Sequence, residues 1–118
     1  MIPPHIDGFL DAALRLDAAS FARIRATRAE ETAAGRRDAS RAPRLSAAEF
    51  SALDKRVRDV LRPRSEEFRG APGGLRAAIT VTEVAAQALW KPDVLTAAQY
   101  ESFVAPFRAE GVAVPPRS

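Results

Sequence analysis

Residues able to do acid–base or metal chemistry are few and scattered in this sequence. His5 is the only histidine, and nothing near it in the proline-rich N-terminal stretch would orient its ring for catalysis. There is no cysteine, so thiolate metal ligands, disulfides and a cysteine nucleophile are excluded. No Glu-x-x-His pair and no Gly-x-Ser-x-Gly elbow occurs. We therefore expect a protein that is not an enzyme and that holds no metal or cofactor.

Carboxylates that are close in sequence do not predict a catalytic dyad. The three pairs are Asp7 and Asp11, Glu30 and Glu31, and Glu66 and Glu67. Adjacent residues on a helix point about 100° apart, so the two glutamate pairs cannot converge by themselves. Asp7 and Asp11 lie near the start of a predicted helix, where negative charge is favoured by the helix dipole alone.

Arginine is the most abundant charged residue, and it suggests one functional hypothesis. The chain has 16 arginines and two lysines, a bias typical of a GC-rich bacterial genome, and its net charge is +3. Residues 15–69 carry fourteen basic and nine acidic side chains, so the positive excess lies in that segment. A basic surface there would contact phosphates of a nucleic acid. The candidate contacts are Arg23, Arg28, Arg36, Arg37, Arg41, Arg44 and Arg56.

Two observations weaken the nucleic-acid hypothesis and leave it as the alternative. Acidic residues are interleaved with these arginines, and we expect no exposed aromatic residue among them to stack on bases. The segment Gly70–Gly74, with Arg69 and Arg76 beside it, could hold an anion at a helix start. It lacks the Gly-Lys-Ser/Thr end of a P-loop, which favours a plain connector.

Aromatic residues concentrate near the C-terminus and suggest the other hypothesis. Trp90, Tyr100, Phe103 and Phe107 fall in the last two predicted helices. This pattern favours the core of a helical hairpin, but aromatic side chains also dominate protein interfaces. The cluster is therefore the candidate surface for binding another protein.

The first half of the chain predicts helices separated by short breaks. Ile6, Phe9, Leu10, Ala13 and Leu14 follow helical spacing, with Asp7 as a plausible N-cap. Asp17 predicts a second N-cap, for a helix over 18–34 that stops at Gly35. One continuous helix over 7–34 is the competing interpretation. A basic, proline-containing loop follows near 35–45.

The third helix has the clearest start in the sequence. Ser46 and Glu49 form a capping-box pattern, and Leu45 with Phe50 fits a hydrophobic staple. Pro63 should kink or end the helix, and Phe68 should reach the core. The predicted buried stripe is Phe50, Leu53, Val57, Val60 and Leu61.

The second half predicts two more helices and a tail. Residues 75–90 contain a β-branched run, but their apolar residues recur at helical spacing, so we favour a helix over a strand. Thr96 and Gln99 form a second capping box for a last helix that contains Pro106. Residues 112–118 predict an extended tail.

These patterns together predict an all-α, single-domain bundle of four to five helices over 1–118, with extended arms at 1–5 and 112–118. Of the hydrophobic residues, 25 are alanine, so the expected core is thin and self-association as a homodimer would help to complete it. No membrane span and no secretion signal is recognisable, which predicts a cytoplasmic protein. The predicted function is binding to another protein or to itself.

Overall fold

The computed structural model describes residues 1–33 and 42–117, and in these ranges the chain is a bundle of helices without a β-strand. The α-helices are α1 (Pro4–Ala13), α2 (Ala18–Ala33), α3 (Ala47–Leu61), α4 (Gly74–Trp90) and α5 (Ala97–Ala109), and 3₁₀ segments span Arg62–Phe68 and Pro92–Val94. The predicted all-α bundle is confirmed. Of the predicted loop near 35–45, residues 35–41 lie outside the described residues, and 42–46 form neither helix nor strand.

The N-terminal region contains two helices, so the interpretation of one long helix is wrong. The chain leaves the helical path between Ala13 and Ala18, and the Asp17 carboxylate caps α2 by accepting a 2.9 Å hydrogen bond from the Ser20 amide. Asp7 is not the cap of α1. The helix begins at Pro4 because a proline fits the first helical position without losing a hydrogen bond, so residues 4 and 5 belong to α1 and not to an arm.

Helix α4 is the central element of the bundle. It packs against each of the other four helices. Ala85, Ala86 and Ala88 are fully buried in it, and small side chains let neighbouring helices approach closely. The helical interpretation of residues 75–90 is confirmed, because a helix buried on most sides carries apolar residues around most of its circumference.

Both predicted capping boxes are present and fix where α3 and α5 begin. Ser46 Oγ accepts from the Glu49 amide at 3.1 Å, and Glu49 Oε1 accepts from the Ser46 amide at 2.8 Å. Thr96 and Gln99 repeat the same pair of bonds at 3.1 and 2.8 Å. Each box satisfies two amides that have no partner within the helix.

The core is larger than the alanine content predicts. Among the described residues 26 hydrophobic side chains are buried, and only five of these belong to alanine. Phe107 packs edge-on against Phe9 with ring centroids 5.3 Å apart, and Phe68 lies 5.7 Å from Phe21, as predicted for a core residue. The Cα radius of gyration is 13.3 Å, close to the roughly 13.5 Å expected of a compact domain of this length. Completion of the core therefore does not require a second copy.

The predicted buried stripe of α3 is correct for three of its five residues. Leu53, Val57 and Leu61 are fully buried, but Val60 is half-buried and Phe50 is 41% exposed. Phe50 lies in the first turn of α3, level with the point where α4 ends, since Lys91 just after α4 forms an ion pair with Glu49 at 3.2 Å. Little of α4 extends beyond that point to cover Phe50.

The C-terminal tail is held against the bundle. Val112 and Val114 are buried. Tyr100 Oη donates to the carbonyl of Pro115 at 2.7 Å, and Arg117 Nε donates to the carbonyl of Pro92 at 3.1 Å. Residues 112–117 form neither helix nor strand, and they are part of the packed structure.

Candidate functional site

The predicted aromatic cluster lies mostly in the core. Tyr100, Phe103 and Phe107 are each at most 1% exposed, so a partner cannot reach them without unfolding α5. Trp90, the last residue of α4, is half-buried. Of the four predicted contacts, Trp90 is thus the one that presents surface.

Three of the predicted phosphate-binding arginines make ion pairs within the chain. Arg23 binds Glu110 through two bonds, of 3.0 Å from Nε and 2.7 Å from Nη2. Arg56 donates to Asp7 at 3.2 Å and also to Asp11. These contacts join α2 to the end of α5, and α3 to α1, and they use the fork of donors that guanidinium offers to carboxylates.

Arg28 is the most buried of these arginines, with 14% of its side chain exposed. Its Nη1 donates to the carbonyl and to the hydroxyl of Ser102, each at 2.9 Å, and lies 3.5 Å from Glu31. The guanidinium carbon lies 4.4 Å above the Phe103 ring, a cation–π arrangement. Burial lowers the pKa of Arg28, and Glu31 opposes that change. Arg28 therefore serves the contact between α2 and α5.

The remaining predicted arginines differ in their settings. Arg36, Arg37 and Arg41 lie outside the described residues. Arg44 is exposed and pairs with no acidic residue of the described ranges. It precedes the N-cap of α3 by two residues, so it lies within reach of that end of the bundle.

The segment Gly70–Gly74 behaves as a connector with a shallow cleft beside it. Arg69 pairs with Glu66 at 2.7 Å. Arg25 and Arg76 line a cleft of about 330 Å³ at the start of α4. The Arg25 side chain packs closely against Gly73, where a Cβ atom would lie 2.5 Å from Arg25 Nε. Both arginines are exposed to solvent.

A carboxyl pair that sequence analysis did not single out lies between α3 and α4. Glu83, in the middle of α4, is 8% exposed, and its Oε2 atom has no hydrogen-bond partner among the described residues. The side chain of Asp54 on α3 faces it within hydrogen-bonding range and also accepts from Arg58 Nε at 2.8 Å. Burial first, and then the facing Asp54, raise the pKa of Glu83 to about 8.

The same contact lowers the pKa of Asp54, because a protonated Glu83 donates to the Asp54 carboxylate, and Arg58 adds to the effect. A raised carboxyl pKa is a property of many general acids. Catalysis also needs space for a substrate beside the catalytic group. Neither Asp54 nor Glu83 lines any of four cavities that are formed by described residues.

One end of the bundle exposes apolar side chains beside arginines. We call it the Phe50 end and define it by Phe50, Val94, Arg44 and Arg117. Phe50 is 41% and Val94 72% exposed, and they are the large hydrophobic residues most exposed in the described ranges apart from Met1. The Glu49–Lys91 ion pair and the bond from Arg117 to Pro92 bring the start of α3, the end of α4 and the tail to this end.

A sequence signal existed for Glu83 but not for its partner. Glu83 follows Ile79 by four residues and precedes Ala86 by three, which are positions on one helical face, and both neighbours are buried. An acid on the apolar face of a helix predicts burial. Nothing in the sequence indicates that Asp54 would face it, because that depends on the register between α3 and α4.

Comparison of the chain with protein-family models, with curated proteins and with solved structures finds no match. None of the helices described has the length and apolar character that crossing a bilayer requires. Within residues 1–33 and 42–117, no three histidine, aspartate or glutamate side chains are grouped as a metal site would need.

Proposed function

We propose that the protein is a non-catalytic helical module that binds another protein, and that the Phe50 end is the contact surface. The observation that supports this proposal is the exposure of Phe50 and Val94, since the other large apolar side chains of the described residues, apart from Met1, are buried or partly buried. An aromatic anchor with arginines around it is the composition typical of interface hot spots.

The charges of the Phe50 end favour an acidic amphipathic segment as the partner. Arg44 and Arg117 form no ion pair with a described residue, and the charge of Lys91 is offset by Glu49. The exposed Asp93 offsets part of the charge of the two arginines, so a small positive excess remains among these described residues. A partner with apolar residues flanked by carboxylates would match both features, since complementary charge sets orientation and association rate.

A second copy of the chain is a weaker candidate for the partner. The core is complete within one chain, and the radius of gyration is that of an independent domain. Two copies of the Phe50 end would also bring their positive excess together. Location in the cytoplasm stays a prediction.

Peptide selection tests the proposal. A display library of 16-residue random peptides is selected on the wild-type protein, with the double variant Phe50→Ser/Val94→Ser as the counter-selection. We expect peptides with apolar residues at helical spacing and flanking Asp or Glu. Their affinity, measured by fluorescence anisotropy, should fall at least tenfold in Phe50→Ser and a few-fold in Arg44→Ala.

Arg15→Ala is the matched control for the arginine substitution. Arg15 is exposed and follows α1. It lies near the C-terminal end of α3, far from Phe50, because Arg64 just after α3 donates to the carbonyls of Leu14 and Leu16. Peptides that bind wild type and Phe50→Ser equally would contradict the proposal, as would affinity that falls equally in Arg15→Ala and Arg44→Ala.

The nucleic-acid alternative has a separate test. Light scattering measures the mass of the protein with and without a short mixed-sequence DNA duplex, at low and at moderate salt. We expect the mass of one chain in every condition. A gain of mass with DNA that disappears at moderate salt would favour binding through arginines.

A further inference from the structure

The contact between α3 and α4 contains a polar group whose hydrogen bonding is incomplete. Glu83 is more than nine-tenths buried, and its Oε2 atom lacks a partner in the described ranges. On the facing helix, the nearest core residues on either side of Asp54 are Leu53 and Val57, and both are fully buried. An ionised carboxylate in such apolar surroundings is costly unless a cation is beside it.

The charges that act on Glu83 all belong to α3. Asp54 and Arg58 act on it directly, and Arg62, the first residue of the 3₁₀ segment after α3, acts on Asp54. Among the described residues of α1, α2 and α5, no titratable group acts on Glu83 or on Asp54. Arg58 already donates to Asp54 at 2.8 Å. Arg58 is therefore the cation bonded to the pair, whereas Arg62 acts on Asp54 by charge alone.

Two carboxyl groups in contact form a hydrogen bond only if one of them is protonated. With both ionised, each offers acceptors alone, and like charges repel at short range. With one proton present, Glu83 donates to Asp54 while Asp54 keeps its bond to Arg58. This arrangement satisfies both carboxyl groups with Arg58 as the one cation bonded to them.

We propose that Asp54 and Glu83 hold one proton between them, and that loss of this proton to solvent base at alkaline pH weakens the contact between α3 and α4. The shared proton makes the contact between α3 and α4 sensitive to pH. Asp54 lies one helical turn after Phe50 on α3, so the same change is felt close to the Phe50 end, but the proton linkage holds whether or not a partner binds there.

The direction of the effect follows from where the proton resides. In the unfolded chain Glu83 ionises near its ordinary pKa of 4.5, whereas in the folded protein its pKa is about 8. Between these values the folded state keeps a proton that the unfolded state releases, so stability falls as pH rises. Above about 8 both states are ionised and the dependence ends.

Urea unfolding at a series of pH values from 5.5 to 9.5 tests the proposal on wild type, Glu83→Gln and the control Glu30→Gln. Glu30 is an exposed residue of α2. We expect the wild-type unfolding constant to rise by up to tenfold per pH unit until about pH 8, and then to level off. Glu30→Gln should show the same rise. Glu83→Gln should show none, because its amide donates to Asp54 at every pH.

Asp54→Asn supplies a second variant should Glu83→Gln fail to fold. It frees Arg58 to pair with Glu83, so the rise in the unfolding constant should end at a lower pH than in wild type. The proposal is overturned if the wild-type unfolding constant does not change over this range, or if Glu83→Gln keeps the wild-type pH dependence.

Discussion

Two contacts between helices in this bundle differ in how completely a buried ionisable side chain is hydrogen-bonded. Between α2 and α5, Arg28 is largely buried but donates to the Ser102 carbonyl and hydroxyl and lies over the Phe103 ring. Between α3 and α4, Glu83 is buried with an oxygen that has no partner in the described ranges. The first contact is satisfied at any ordinary pH, and the second depends on a proton.

The difference follows from side-chain length and chemistry. Arginine has a long flexible stem and five donors, so it can reach carbonyl groups on a neighbouring helix without changing its protonation state. Glutamate offers only acceptors when ionised, and the facing side chain is another acid. Arginine can therefore complete a contact between helices without a change of protonation, whereas the contact that depends on pH is the one in which a buried acid faces another acid.

The largest expected effect comes from removing the arginine. Arg28→Met keeps much of the side-chain volume but leaves the Ser102 carbonyl without its donor, so we expect a loss of about 3 kcal/mol in the free energy of unfolding. Urea denaturation at pH 7 measures it. Arg15→Ala, an exposed control, should stay within about 0.5 kcal/mol of wild type. A loss below about 1 kcal/mol in Arg28→Met would remove the contrast between the two contacts.

Replacement of Glu83 by methionine, in the contact between α3 and α4, should raise the free energy of unfolding instead of lowering it. Glu83→Met removes a buried acid and leaves Asp54 paired with Arg58, so at pH 8 we expect a gain of about 1 to 2 kcal/mol in the free energy of unfolding. The gain should shrink as the pH is lowered toward 5, where wild-type Glu83 is protonated at no cost. Destabilisation by Glu83→Met at pH 8 would mean that the carboxyl pair strengthens the contact.

The capping boxes of α3 and α5 should contribute equally to stability, so they should not account for the difference between the two helix contacts. The capping boxes at Ser46 and Thr96 have the same bond lengths, so Ser46→Ala and Thr96→Ala should each cost about 1 kcal/mol. Thermal unfolding of the two variants at one pH checks this. Costs that differ by more than about twofold would show that the first turn of one helix contributes to the contrast.

The smallest expected effect concerns the exposed Arg23–Glu110 pair. Arg23 lowers the pKa of Glu110 by hydrogen bonding, so this pair stabilises the fold above the ordinary value of 4.5 and ceases to do so as pH falls below it. Glu110→Gln should therefore flatten the acid side of the stability profile slightly and leave the region from 5.5 to 8 unchanged. A change in the latter region would mean that Glu110, too, is linked to the Glu83 proton.

Much of the backbone could be predicted from the sequence because its signals are local. The caps at Asp17, Ser46 and Thr96 each depend on residues three positions apart, and all three are present. The start of α1 was misplaced because Asp7 is an ordinary N-cap residue, whereas the structure uses Pro4, which has no amide hydrogen to satisfy.

The candidate site was harder to predict because it depends on the register between helices. Phe50 has the spacing of a core residue, and its exposure reflects where α4 ends. The predicted arginines are the clearest case: Arg23, Arg28 and Arg56 find carboxylates 87, 3 and 49 positions away in sequence. Composition indicates a basic surface, but only the fold decides which charges are neutralised.

The most direct test of a proton-dependent contact between α3 and α4 is an NMR titration of the side-chain carboxyl carbon of Glu83 in the wild-type protein. We predict a midpoint near pH 8, with the fold intact on the acid side of the transition. A midpoint near 4.5, the ordinary value for glutamate, would show that Glu83 is ionised at neutral pH and would contradict the account.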